Sequence, residues 1–255
     1  MADAYGAEWV VIGEQGAGSR EQAGAEVRRQ VETAVRMALA GEVDAIVTGP
    51  AEKAALHAAG VNYPGHTEWL GALAGGVETV MMLAVPRLRV VLATTHVPLR
   101  AVPDLLTTDL LIRTGRITLD ALRERFGISH PRLAMCALNP HVGEGGAFGD
   151  EDARILLPAA QALGIAGPLP ADTVFVKALH GAFDAVLAPY HDIGMTAVKV
   201  AGFGRGVNVT LGLPFIRTAP DHGTAMDIAG KGVADAGSLK AAMRLAVELA
   251  ERRVR

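Results

Sequence analysis

Apolar residues recur along the chain with two different spacings, one typical of helices and the other typical of buried strands. Helical spacing covers residues 21–39, 108–126, 150–163 and 238–252, with shorter helical stretches at 54–59 and 68–73. Short apolar or β-branched runs predict strands at 9–13, 44–50, 79–85, 89–94, 132–138, 182–188 and 207–211. The β-α-β order at the start favours parallel pairing. We therefore expect an α/β fold, built as one unit with two intergrown lobes.

The composition adds limits on size and on partners. The chain has 255 residues, of which 50% are hydrophobic and 20% charged, so there is enough material for one large domain or two lobes. The net charge of -3 does not indicate a basic surface for nucleic acid. Aromatic residues make up only 4% of the chain, which does not suit base stacking. No nucleic-acid partner is expected.

Cysteine use and hydropathy indicate the compartment. The single cysteine, Cys136, lies in an apolar run and is predicted to be a small core residue. One cysteine excludes an internal disulfide and fits a reducing environment. No apolar stretch reaches the roughly 18 residues of a membrane-spanning helix, and the first residues lack the features of a signal peptide. We expect a cytoplasmic protein with no membrane partner.

Three histidines each follow a predicted strand. His96, His141 and His191 come after the runs at 89–94, 132–138 and 182–188. Parallel α/β sheets collect binding groups at the carboxyl ends of their strands, and three imidazoles meeting there could hold one divalent metal. The same pattern is compatible with three separate, hydrogen-bonded loop histidines. The residues alone leave both interpretations open.

Two polar segments have the composition of anion sites. Residues 139–146 form a glycine-rich loop directly after a strand, and glycine lets backbone N–H groups approach an anion. Residues 64–68 precede a short helix that Thr67 could cap, and free N–H groups at a helix start attract phosphate or carboxylate. A plain turn and simple capping explain the two segments equally well.

Further charged residues follow His191. Asp192 beside a metal-binding histidine could orient it or act as a base. Lys199, Asn208 and Arg217 lie along one connection and could together grip an anionic substrate, although each also fits an ordinary surface position. Residues 221–232 hold three glycines and two aspartates, which suits a loop lying against a ligand. No G-x-G-x-x-G follows the first predicted strand, which disfavours an ordinary Rossmann site.

Taken together, these motifs resemble the 4-hydroxythreonine-4-phosphate dehydrogenase family over nearly the whole chain. The matching segments are Val47-Thr48-Gly49-Pro50, Gly65-His66-Thr67-Glu68, residues 94–100, 138–146 and 167–173, Tyr190-His191-Asp192, and residues 207–218 and 221–230. The last segment is also similar to the cofactor loop of isopropylmalate and isocitrate dehydrogenases. The resemblance implies a two-lobed fold of that dehydrogenase type with three α/β/α layers. It implies a cofactor lobe of residues 1–49 plus 200–255, and a metal, substrate and dimerisation lobe of residues 50–199.

The resemblance also implies roles for individual residues. The metal ligands are His96, His141 and His191, shared across a homodimer, and the ion is zinc, magnesium or cobalt. Asp192 and Lys199 are the expected catalytic residues. The remaining implied contacts are His66, Thr67, Lys199, Asn208 and Arg217 for the substrate, and Gly223, Thr224, Ala225 and Asp227 for NAD or NADP.

The implied reaction is the NAD-dependent oxidation of 4-phosphohydroxy-L-threonine, followed by loss of carbon dioxide, in pyridoxal 5'-phosphate biosynthesis. Two departures from the family pattern keep alternatives open. The family's leading strand and Gly-Asp-Pro-Ala-Gly-Ile-Gly-Pro-Glu turn are absent here, which implies an N-terminally truncated cofactor lobe with weak cofactor binding. Ile193 replaces the family's usual glutamine after His191-Asp192. The alternatives are a dehydrogenase of erythronate or threonate 4-phosphate, a weakly active metal- and phosphate-binding homologue, and a three-histidine hydrolase, which the 221–232 loop disfavours.

Overall fold

The computed structural model describes residues 4–12 and 19–253. The helices are α1 (Arg20–Leu39), α2 (Lys53–Ala58), α3 (His66–Leu73), α4 (Val102–Leu105), α5 (Thr108–Glu124), α6 (Leu157–Leu163), α7 (Ala171–Leu179), α8 (His191–Gly202) and α9 (Gly237–Arg253). The strands are β1 (Ala45–Val47), β2 (Val80–Val85), β3 (Leu88–Leu92), β4 (Leu133–Cys136), β5 (Ala166–Leu169), β6 (Ala185–Ala188), β7 (Val207–Leu211) and β8 (Ile216–Pro220). None of the described helices is both long and apolar enough to span a membrane.

The chain divides into two compact units. The first unit contains the described residues up to 79 and from 207 onward, and the second contains residues 80–206. The expected lobe boundaries at 49 and 200 therefore differ from those of the structure. The first boundary lies later because α2 and α3 pack against α1, which places them in the first unit.

In the first unit, three strands lie in the order β1-β8-β7 among the described residues. β1 runs parallel to β8, with Ile46 opposite Arg217, and β8 runs antiparallel to β7. The helix α1 begins with a capping box, in which the Ser19 hydroxyl accepts from the backbone of Gln22 and the Gln22 side chain accepts from the backbone of Ser19. Its buried face, with Val31 and Val35, packs with residues of β1 and α3 to form this unit's core.

In the second unit, the described strands lie in the order β2-β3-β6-β4-β5. β2 and β3 pair antiparallel, and β3, β6, β4 and β5 run parallel. The core joins these strands to α7 and α8. Cys136 is buried there, and burial raises the pKa of its thiol to about 12. A thiol with such a pKa stays protonated at neutral pH, which confirms the predicted core role.

Several element predictions were wrong or incomplete. No strand forms at 9–12, where Val10 and Val11 are 57% and 67% exposed, because no described strand pairs with this segment; Gly13 lies outside the described residues. The pattern also missed β5, β8, α7 and α8. The helix predicted at 150–163 begins as a π-helical turn over Asp152–Leu156 and continues as α6.

Candidate active site

Two of the three candidate histidines meet at one edge of the second unit's sheet. Because β3, β6 and β4 run parallel, their carboxyl ends share that edge. His96 follows β3, and His191 is the first residue of α8, which follows β6. The centres of these two imidazole rings lie 5.2 Å apart, with the rings tilted by 52°. The juxtaposition expected from the strand ends is therefore present for this pair.

His191 is oriented by its neighbour. Its Nδ1 lies 2.7 Å from Oδ1 of Asp192. The Asp192 side chain is 87% exposed, so water weakens this contact strongly. The contact favours the tautomer with the proton on Nδ1, which leaves Nε2 available as a ligand atom.

His141 lies on the loop Pro140–Gly146, which follows β4 and also starts from this edge. Its side chain is exposed. Among residues 4–12 and 19–253 of this single chain, no group of three His, Cys, Asp or Glu side chains is close enough to hold one metal ion. The three-histidine ligand set thus stays a prediction. It is compatible with the predicted metal site in which two subunits share the ligands.

A buried cation lies in the first unit. Arg217, on β8, is 3% exposed. Its Nη1 donates to the hydroxyl of Thr210 over 3.0 Å, and its Nη2 donates to the hydroxyl of Thr48 over 2.7 Å. Burial lowers its pKa to about 10, so it stays positively charged at neutral pH. In the described part of the chain it forms no ion pair with a carboxylate. A buried charge with only hydroxyl partners is a favourable place for an anionic ligand.

Two polar atoms in this unit are buried without a hydrogen-bond partner among the described residues. They are Nε of Arg217 and Oδ1 of Asn208, on the neighbouring strands β8 and β7. Unsatisfied buried groups are uncommon in folded proteins, and they concentrate at functional sites. The prediction that Asn208 and Arg217 contact a ligand is compatible with these unsatisfied atoms.

His66 and Thr67 open α3 in the same unit. Burial and the nearby positive charge of Arg217 lower the pKa of His66 to about 4, so its imidazole is neutral at pH 7. The ring also lies against Trp69, with the ring centres 5.8 Å apart. Thr67 is buried as the second residue of the helix, whose preceding residue is Gly65. The expected capping by Thr67 is therefore wrong, because the helix starts one residue before it.

Lys199 lies apart from Asp192, the other predicted catalytic residue. Both are on α8, but seven residues separate them, which is about 10 Å along a helix axis. The Lys199 ammonium lies 5.7 Å from the ring centre of Phe203. Lys199 belongs to the second unit, whereas His66, Thr67, Asn208 and Arg217 belong to the first. Its predicted catalytic and substrate roles stay predictions.

The candidate cofactor loop, residues 221–232, is attached to α9. The backbone N–H of Asp221 donates to Oγ of Ser238 over 3.1 Å, and that hydroxyl donates to the Asp221 carboxylate over 3.2 Å. The helix α9 starts at Gly237, and the hydroxyl of Ser238 binds the loop. The four predicted cofactor contacts, Gly223, Thr224, Ala225 and Asp227, all lie on this loop, and the space beside Gly223 is open.

Sequence reasoning gave no role to Thr48 or Thr210. Both hold the guanidinium of Arg217, and Thr48 follows β1 while Thr210 lies on β7. One signal was present for Thr210, since it lies two residues after Asn208 and so points to the same face of its strand. No local pattern connects Thr48 to Arg217.

The structure is an α/β protein with a buried arginine, Arg217, held by two hydroxyl groups. The chain matches the model of the family described as pyridoxal phosphate biosynthetic protein PdxA over residues 7–246. A 4-hydroxythreonine-4-phosphate dehydrogenase of Desulfosudis oleivorans is 50% identical over 235 residues, covering 90% of this chain and 70% of that protein. One of Caulobacter vibrioides is 48% identical over 239 residues, covering 89% and 72%. The chain belongs to this family, as its motifs predicted.

Solved structures agree. The crystal structure of 4-hydroxythreonine-4-phosphate dehydrogenase from Klebsiella pneumoniae has a TM-score of 0.83 and 43% identity, covering 90% of this chain and 72% of that one. A terephthalate 1,2-cis-dihydrodiol dehydrogenase from Burkholderia xenovorans has a TM-score of 0.68 and 31% identity, covering 94% and 76%. These similarities confirm the predicted α/β fold class.

Proposed function

We propose that this chain catalyses the NAD-dependent oxidation and decarboxylation of 4-phosphohydroxy-L-threonine in pyridoxal 5'-phosphate biosynthesis. One observation carries the proposal. Several relatives named 4-hydroxythreonine-4-phosphate dehydrogenases are about 50% identical to this chain over about 90% of its length. The same agreement confirms the predicted enzyme class, an oxidoreductase acting on a CH–OH group, and the predicted pathway.

In this proposal, Arg217 binds an anionic group of the substrate. A substrate with both a phosphate and a carboxylate needs fixed cations, and Arg217 is held in place by Thr48 and Thr210 before any ligand arrives. His66 is neutral at pH 7, so it offers hydrogen bonding without adding a second charge. Thr67, Asn208 and Lys199 are assigned as further substrate contacts.

A divalent metal fits the histidine pair. The 5.2 Å separation of the His96 and His191 rings suits two imidazoles that share one ion, and Asp192 leaves Nε2 of His191 available. We assign His96, His141 and His191 as ligands of zinc, magnesium or cobalt. When bound, such an ion supplies Lewis-acid polarisation of the substrate oxygens. Asp192 keeps the proton on Nδ1 of His191.

NAD or NADP is assigned to the loop at residues 221–232. The open space beside Gly223, Gly230 and Gly232 leaves room for a ligand to approach the backbone closely. When bound, the cofactor would accept a hydride from the substrate. The contacts of Asp221 with Ser238 hold one end of the loop in place.

We propose that the active form is a homodimer with metal sites shared between subunits. Two observations support this. The described residues of one chain bring together two of the three assigned histidines rather than all three. The second unit also exposes large apolar side chains, which oligomer interfaces commonly cover: Leu99, Leu105, Phe148 and Leu157.

The proposal is tested by following NADH formation at a fixed metal concentration. The substrates are 4-phosphohydroxy-L-threonine, erythronate 4-phosphate, threonate 4-phosphate and a cyclic cis-dihydrodiol. We expect the first to give the highest kcat/KM. Higher activity on another substrate would reassign the enzyme, and phosphate release without NADH would indicate a hydrolase. No turnover on any substrate, with metal and substrate still bound, would identify a binding homologue.

A further inference from the structure

The loop that carries His141 has an unusual backbone. Five consecutive residues, His141, Val142, Gly143, Glu144 and Gly145, have positive φ angles between 42° and 76°. Residues other than glycine adopt this left-handed region at an energetic disadvantage, and a β-branched residue such as Val142 does so rarely. We call this segment, residues 141–145, the left-handed turn. A turn of this kind persists only where its surroundings hold it.

Several hydrogen bonds hold the residues that lead into the left-handed turn. The carboxylate of Asp152 accepts from the backbone N–H of Leu138 over 2.8 Å and from that of Asn139 over 2.9 Å. The Asn139 side chain donates to Glu151 over 2.7 Å. At the other end, the N–H of Phe148 donates to the carbonyl of Gly143 over 3.1 Å.

Asp152 is a buried acidic residue. It is 0% exposed, and none of the described residues forms an ion pair with it. It starts a π-helical turn, a widened form of helix that is frequent at functional sites. An ionised carboxylate accepts through both oxygens, so it can hold two successive N–H groups, whereas an asparagine side chain offers only one acceptor oxygen.

We infer that Asp152 is a positioning residue that clamps the start of the left-handed turn and thereby directs His141. Gly143, within the turn, lies close to the neighbouring backbone, since a Cβ at this position would lie 2.6 Å from the carbonyl oxygen of Gly149. Freeing the N–H groups of Leu138 and Asn139 lets the chain leave the unfavourable left-handed region. The link from the turn to metal binding rests on the proposed role of His141 as a ligand.

The test compares Asp152→Asn with Asp150→Asn in the full chain. Asp150 is exposed and pairs with the side chain of Arg154, so it is a matched control two residues away. The first measurement is amide hydrogen exchange without metal. We expect faster exchange over residues 138–148 in Asp152→Asn alone. Unchanged exchange there would overturn the clamp.

The second measurement is Co²⁺ titration by calorimetry, including His141→Ala and the double variant. Residues that orient a metal ligand typically contribute about 10- to 100-fold to affinity, so Asp152→Asn should weaken Co²⁺ binding at least tenfold. In the His141→Ala background, Asp152→Asn should cause no additional loss of Co²⁺ affinity. An equal loss with and without His141 would show general destabilisation and overturn the proposal.

Two outcomes separate this inference from the proposed function. If His141→Ala leaves Co²⁺ affinity unchanged, the metal assignment fails, while faster exchange at 138–148 in Asp152→Asn still supports the clamp. If Asp152→Asn does not fold, Asp152→Ser takes its place, since a serine oxygen keeps one of the two acceptors. Failure of both variants to fold would assign Asp152 to the stability of the whole second unit and overturn the positioning role.

Discussion

The guanidinium of Arg217 donates from Nη2 to the hydroxyl oxygen of Thr48 over 2.7 Å, and this bond joins residues that lie 169 positions apart in the chain. The backbone N–H of Thr48 also donates to the carbonyl of Thr218, which extends the parallel pairing of β1 and β8 past the end of β1. The strand pairing thus places the hydroxyl where the cation needs a partner. The buried Arg217–Thr48 contact is therefore built by the sheet itself.

Removing the charge of Arg217 should weaken substrate binding. Loss of one partner of a buried, charge-assisted contact typically costs roughly 2–5 kcal/mol. Arg217→Ala should therefore raise the substrate dissociation constant at least tenfold, measured by calorimetry. Arg217→Lys keeps the charge but loses the planar guanidinium, so its dissociation constant should lie between those of the wild type and Arg217→Ala. Arg205→Ala, at an exposed position, is the control. Equal affinity in all four proteins would show that Arg217 does not contact the substrate.

Thr48→Val should destabilise the protein while keeping the side-chain shape. The substitution leaves Nη2 of Arg217 without its hydroxyl partner, and a hydrogen bond to a charged group contributes about 1.5–3 kcal/mol. Urea unfolding should report a loss of that order. Thr196→Val, on the exposed side of α8, is the matched control and should change the free energy of unfolding little. Similar losses in both variants would argue against the buried contact.

The stability of the fold should fall as the pH drops from 6.5 towards 4. Burial and then the charge of Arg217 lower the pKa of His66 from 6.5 to about 4, so between these values the unfolded chain binds a proton that the folded chain does not. Unfolding is then favoured by acid, and the contribution is fully present above pH 6.5. Allowing for partial exposure, we expect an effect on the order of 1–2 kcal/mol.

His66→Gln should remove this part of the pH dependence. The measurement is the free energy of unfolding in urea at pH 4.5 and pH 7. His57→Gln is the control, because His57 is an exposed histidine of the same unit. A wild-type pH dependence in the His66 variant would contradict the assignment.

Each of His96, His141 and His191 should be needed for metal binding. Alanine at any one of them should sharply lower the metal content, measured by elemental analysis after dialysis. Chelation should stop NADH formation, and added metal should restore it. His130→Ala, at an exposed position away from the three strand ends, should keep its metal. Wild-type metal content in all three ligand variants would contradict the three-histidine site.

The protein should be a homodimer in solution, and its metal affinity should depend on dimerisation. Sedimentation velocity across a dilution series gives the concentrations at which monomer forms. The metal content, measured at the same concentrations, should fall there. A monomer that binds metal at full strength would contradict a shared site. Leu105→Asp adds a charge at an exposed apolar position and should shift the equilibrium towards monomer if that surface is part of the interface.

The sequence by itself determined the elements whose signals are local. Apolar periodicity located α1, α5 and α9, and the β-branched run at 207–211 coincides with β7. The histidines that follow β3, β4 and β6 were recognisable because each stands directly after an apolar run. The shared edge then followed from parallel pairing, and ordered motifs along the chain were sufficient to recognise the family.

Only the tertiary structure decided features that depend on distant partners. The apolar run at 9–12 forms no strand in the described structure because no strand lies beside it, whereas β8, with its charged Arg217, is completely buried. A buried arginine and a surface arginine look the same in a sequence, since the hydroxyls that hold it come from other strands. The left-handed turn of His141 was equally invisible, because residues such as Val142 adopt that conformation only when contacts such as those of Asp152 hold the chain there.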